Sequence, residues 1–201
     1  MREKVKVITY DINEEGSGVF AISLVENPAI GVNFIALNDH KKNYVKFEEE
    51  ESKRRMLYGA LLIPDQFIFR VHPKTNEEYY VKFTKETIRK IAYNYIMNNR
   101  QHNATYEHES KIEGVSLVET WLIEGDHDKS MNFGFSLPVG TWFGGMYVSN
   151  DDIWAKVEEN DVFGFSIEGE FDALEEQYLS TQTKLMLEEI ETLIKEHSSS
   201  L

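Results

Sequence analysis

Short β-rich runs, broken at close intervals by turn residues, recur along this chain and restrict it to a fold built mostly from strands. Val5, Val7 and Thr9 alternate with Lys4, Lys6 and Ile8, and VFAISLV (19–25), MLYGALLIP (56–64), QFIFRV (66–71) and YYVKF (79–83) follow. ATYEHES (104–110), GVSLVETWLIE (114–124) and VFGFSIEGEF (162–171) continue the pattern. Each is too short for a stable helix and rich in β-branched or aromatic residues. MLYGALLIP and QFIFRV flank Asp65 like a hairpin or bend, and Lys111-Ile112-Glu113-Gly114 reads as the turn of a hairpin. Helical spacing interrupts the pattern at Ile88, Ile91, Ala92, Tyr95 and Ile96, which with Thr84 as N-cap predicts an amphipathic helix over about 84–98. Ser149-Asn150-Asp151-Asp152 has the form of a capping box and opens a second, short helix through IWAKVEEN.

The ends of the chain differ in kind. From Asp172 to His197 an acidic sequence carries Met186, Ile190, Leu193 and Ile194 on one side of a predicted amphipathic helix. The reading is therefore an α+β body over residues 1–171 and an acidic helical tail over 172–201. Within the body, the polar stretch 38–55, with HKKNY and EEEESKRR, reads as a mobile linker. At 201 residues and 41% hydrophobic, the body can bury a core of its own.

Composition removes several function classes. There is no cysteine, so thiol nucleophiles, disulfides and thiolate metal sites are excluded. A net charge of −14 opposes a phosphate-binding surface, so nucleic acid is not an expected partner. Without an apolar run of 18 residues or a signal-peptide core, a soluble intracellular protein is expected, with no membrane partner. His127 stands between Asp126 and Asp128, but side chains adjacent in sequence seldom converge on one ion, and no metal is expected.

FGFS occurs twice, at 133–136 and at 163–166, and raises the question of a nucleophile. Ser136 precedes Leu137-Pro138, where the chain leaves strand geometry, and reads as a loop serine. Ser166 lies in an alternating strand. Phe163, Phe165, Ile167 and Phe171 form its apolar face and leave Gly164, Ser166, Glu168 and Glu170 on the other. Gly164 and Gly169 would let another backbone, such as a peptide substrate, approach closely. A serine needs a base, and the base an orienting group. Of the six histidines, His40, His72, His127 and His197 read as surface residues, and His102 could lie near a site. With the hairpin turn centred near 113 and 114, His108 faces Glu119 across the ladder.

The ordered set ISLVENPAI, GALLIPDQFIFR, YYVKFTKETI, NATYEHE, GVSLVETWLIE, LPVGTW, DDIWAKV and GFSIEGEF resembles the XkdF-like serine proteases of tailed bacteriophages over roughly residues 18–171. The resemblance implies a prohead protease with the herpesvirus-assemblin type of fold, a mainly antiparallel β-barrel ringed by helices. It implies His108 in YEHE as base and Ser166 in GFSIEG as nucleophile, with Ser136 in a loop. The third member is expected at Glu119, with His102 or His127 as second-histidine alternatives; Glu109 would point away from His108. The implied substrates are the scaffolding protein, the major capsid protein and the protease itself, cut inside the procapsid in the host cytoplasm. No cofactor is implied. The alternative is a structural or assembly protein of the head with the same fold and its catalytic machinery unused. Under either reading the apolar stripe of the tail suits docking to a scaffold or self-association.

Overall fold

The computed structural model describes residues 4–13, 17–31, 35–37, 54–180 and 189. In chain order its elements are β1 (Lys4–Asp11), β2 (Gly18–Val25), β3 (Ile35–Leu37), β4 (Met56–Leu62), β5 (Ile68–Val71), β6 (Glu78–Phe83) and α1 (Lys85–Met97). There follow β7 (Ala104–Tyr106), β8 (Ser110–Ile112), β9 (Val115–Leu122), a 3-10 helix (Lys129–Phe133), β10 (Trp142–Val148), α2 (Asp151–Glu159), β11 (Gly164–Glu170) and β12 (Asp172–Ser180). The strands form three four-stranded sheets, in the orders β12-β1-β6-β5, β3-β4-β10-β9 and β11-β2-β7-β8. All pairings are antiparallel except β1 with β6 and β2 with β7. The fold is therefore α+β and mainly antiparallel. The described strands do not close into a barrel.

Local sequence explains the helices. Thr84 Oγ1 accepts from the Thr87 N–H at 3.1 Å, satisfying a donor that the first turn of α1 leaves open. Thr87, Ile88, Ile91, Ala92 and Tyr95 form the buried stripe, whereas Ile96 lies at its exposed margin. In α2 the cap is Asn150, whose side chain accepts from Ile153 N at 3.1 Å. Ser149, one residue earlier, instead donates to the Gly114 carbonyl at 3.0 Å.

The core sits on the second sheet. Every residue of β4 is buried, because it runs between β3 and β10 with layers on both faces. Leu57, Leu61, Leu62, Trp142 and Phe143 there join Ile22 and Leu24 of β2 and Ile88 and Ile91 of α1 in one cluster. Each such side chain contributes about 1.5–3 kcal/mol on leaving water. Gly145 permits the close packing of β10 on β4, since a Cβ there would lie 2.5 Å from the Tyr58 ring. On the opposite face of the first sheet Val5, Val7 and Tyr80 make a small second cluster.

Three expectations need correction. Asp172–Ser180 is not the start of a helix but a strand, paired antiparallel with β1 from Lys4↔Ser180 to Asp11↔Asp172. The helical periodicity rested on residues 186–194, which lie outside the described residues except for helical Glu189. The expected linker likewise falls outside them over 38–53, and so do His40 and His197. Asp65 is a bend with φ 57°, yet β4 and β5 belong to different sheets and form no hairpin. The third correction concerns the hairpin carrying His108.

Candidate active site

The hairpin turns at Tyr106–Glu109, not at 113 and 114. β7 pairs with β8 as Ala104↔Ile112, Thr105↔Lys111 and Tyr106↔Ser110, and the Glu109 N–H donates to the Tyr106 carbonyl at 3.0 Å. The central residues Glu107 and His108 both have positive φ, 51° and 59°, a conformation that costs a non-glycine side chain on the order of 1 kcal/mol or more. The turn is pinned to β2: Glu107 N donates to the Leu24 carbonyl at 3.1 Å, Glu26 N to Glu107 Oε1 at 2.6 Å, and His108 N to Ser23 Oγ at 3.0 Å. Hydrogen bonds to a neighbouring strand thus hold the strained turn and fix where the imidazole starts.

The third sheet brings the partners together. Ser166 on β11 stands opposite Ser23 on β2, and Ser23 opposite Thr105 on β7. Glu168, two residues beyond Ser166 on the same strand, receives the Thr105 hydroxyl hydrogen bond and lies 3.1 Å from His108 Nδ1. His108, Ser166 and Glu168 line one cavity of about 640 Å³. Its remaining walls include Ile68, Arg70, Tyr79, Val81 and Phe83 from the first sheet, with Tyr10 stacked on Phe171 at 5.7 Å. Ser166 is 6% exposed, and the His108 side chain is 43% exposed. Among the described residues no hydrogen bond joins the Ser166 hydroxyl to the imidazole. Burial, with the neighbouring Tyr79 hydroxyl, pushes Tyr10 up to about 12, so the Tyr10 phenol stays neutral.

Other expected residues are elsewhere. Glu119 lies on β9 in the second sheet, where it pairs with Gly145. Its carboxylate accepts from the Tyr58 hydroxyl at 2.8 Å and bridges to Lys129. Burial pushes the Glu119 carboxyl up, but Lys129 and Tyr58 outweigh it and hold the group below its ordinary value. The expected pairing of His108 with Glu119 is absent because the early turn sends β9 into a different sheet. Gly169 lines the cavity, yet the backbone that its missing side chain admits is the chain's own, at Gly18 across the bulge in the β11–β2 ladder. Gly164 is buried opposite Val25, outside the cavity lining. His102 bonds Ser116 at 2.8 Å, His127 is exposed in a loop, and Ser136 is exposed after the 3-10 helix. Glu168 was the residue sequence reasoning missed. Its parity with Ser166 was the available signal.

A carboxylate on Nδ1 of a histidine that shares a cavity with a strand serine is an arrangement suited to base-assisted nucleophilic chemistry. The family described as "Putative phage serine protease XkdF" matches residues 44–175 of the chain. The chain belongs to that family. No curated protein and no solved structure gives a match.

Proposed function

We propose that the chain is a serine endopeptidase of phage head maturation, with Ser166 as nucleophile, His108 as general base and Glu168 as the carboxylate that orients it. The observation that carries this reading is the Nδ1 contact of His108 with Glu168 at 3.1 Å inside the cavity that Ser166 lines. With Nδ1–H donating to Glu168, Nε2 is left as the acceptor, the tautomer that can take a hydroxyl proton. Thr105 donates to the same Oε1 that faces His108, which helps fix the carboxylate against the imidazole.

The steps follow from that polarity. Nε2 takes the Ser166 proton as Oγ attacks the scissile carbonyl carbon. The imidazolium, stabilised by Glu168, then gives the proton to the departing amine as the C–N bond breaks. Water, deprotonated by His108, attacks the acyl-serine ester; His108 returns the proton to Oγ, and the acid product leaves. Ser166 and His108 come into hydrogen-bond reach as the peptide fills the cavity, the tightening expected between a free enzyme and its complex. The substrates are the scaffolding protein, the major capsid protein and the chain itself, cut inside the procapsid in the host cytoplasm.

Co-expression with the cognate capsid and scaffolding proteins tests this. Wild type should shorten one or both, with new termini visible by mass spectrometry. Ser166→Ala and His108→Ala should leave them whole. Equal processing by all three proteins would remove the assignment. Intact substrates in every case would favour the structural role in the head.

A further inference from the structure

The first sheet contributes an unusual cation to the cavity. Arg70 on β5 is opposite Tyr79 on β6, and both line the same space as Ser166 and His108. A guanidinium has five N–H donors. Among the described residues the one hydrogen bond it makes is from its own Nη1 to the Phe69 carbonyl at 2.8 Å, and no carboxylate pairs with it. Burial pulls its pKa below the ordinary value, while the Tyr79 and Tyr10 hydroxyls oppose that shift; an arginine remains charged in either case. Desolvating a charge without a partner is costly, and such a group is compensated once a carboxylate meets it in the bidentate geometry the fork allows.

The charge balance inside the cavity points the same way. The chain carries a net charge of −14, yet among the described residues the one carboxylate lining the cavity is Glu168, which His108 and Thr105 already engage. Among the described residues, an incoming peptide therefore meets an arginine without a carboxylate partner, with Tyr10 and Tyr79 beside it, and no unpaired anion. A volume of about 640 Å³ is within the range of pockets that enclose several side chains.

We propose that Arg70 is a specificity residue that binds an acidic side chain, Glu or Asp, of the peptide lying in the cavity, so that the favoured substrates carry an acid close to the scissile bond. This rests on the proteolytic reading for its account of what the peptide is there for, but binding alone can test it. The Ser166→Ala protein, which cannot turn over, is titrated with sets of acetylated, C-terminally amidated hexapeptides in which one position is fixed as Glu, Gln or Lys.

At one or two positions Glu should bind about tenfold to a hundredfold more tightly than Gln. Arg70→Gln in the same background should erase that preference, Arg70→Lys should weaken it, and Arg70→Glu should turn it toward Lys. Arg70 makes no ion pair among the described residues, so these variants should melt close to the parent. Equal binding of the Glu and Gln sets, or a Glu preference that survives Arg70→Gln, overturns the proposal. So does Arg70-dependent binding of a parallel hexapeptide set with free C-termini and no acidic side chains that matches the binding of the Glu set, which would make Arg70 a product-carboxylate contact. Cleavage of head proteins by wild type with no acidic preference would leave the protease reading standing and this one fallen. An Arg70-dependent acidic preference in a protein that cleaves nothing would do the reverse.

Discussion

Glu168 and Glu119 are both half-buried carboxylates with two side-chain partners, and their partners give them different work. Glu168 faces an imidazole whose other nitrogen is free for chemistry, whereas Glu119 closes a static contact between Tyr58 on β4 and Lys129 on the 3-10 helix. Glu168→Gln should therefore lower kcat on the order of a thousandfold or more with the fold intact, as far-ultraviolet circular dichroism and cleavage assays together would report. Glu119→Gln should leave kcat close to wild type. Its effect belongs to stability. A carboxyl held below its ordinary value stabilises the folded chain at neutral pH, and that contribution is lost as pH falls through the folded-state value. The denaturation midpoints of wild type and Glu119→Gln should thus converge on acidification; a constant gap down to strongly acidic pH would refute the assignment. That Ser166 and His108 line one cavity agrees with strand parity and the YEHE and GFSIEG motifs that point to them. The carboxylate that meets His108 was not legible, because two non-glycine residues at positive φ make the turn, and nothing in Glu107-His108 advertises that.

Strands and helices with strong local signals were readable, and those made by distant pairing were not. Helix α1 has its cap and its stripe within fourteen residues, so periodicity alone locates it. Strand β12 has neither a helical stripe nor clean alternation; it forms where β1 offers an open edge, with Lys6 and Glu176 bridged at 2.9 Å. The consequence can be measured by truncation. A chain ending after Leu174 loses the ladder from Lys4↔Ser180 to Thr9↔Glu175, which should cost about 3 kcal/mol, roughly 10 °C in Tm for a chain of this size. A chain ending after Ser180 keeps the ladder and should melt well above it. Identical melting of the two would mean that β12 adds nothing to the body.

The molecule as a whole sets two serines from identical FGFS segments in opposite circumstances. Ser136 is exposed where the chain has left the 3-10 helix, and Ser166 is nearly buried on a strand and lines one cavity with His108 and Arg70. The family match spans residues 44–175 and so includes both His108 and Ser166, but it says nothing of β1 or β2, which supply Tyr10 and the anchor Ser23. Tyr10 on β1 lies outside both the matched span and the quoted motifs, and that part of the cavity wall comes from distant pairing, not from a local signal. Ser136→Ala should leave processing of the head proteins unchanged. The most direct measurement is reaction of the purified chain with a fluorophosphonate, followed by peptide mapping. One phosphonyl group should appear on Ser166, at a rate that falls at least a hundredfold in His108→Ala and Glu168→Gln, with Ser136 unmodified. Labelling at Ser136, or labelling at Ser166 that is indifferent to both substitutions, would contradict the site described above.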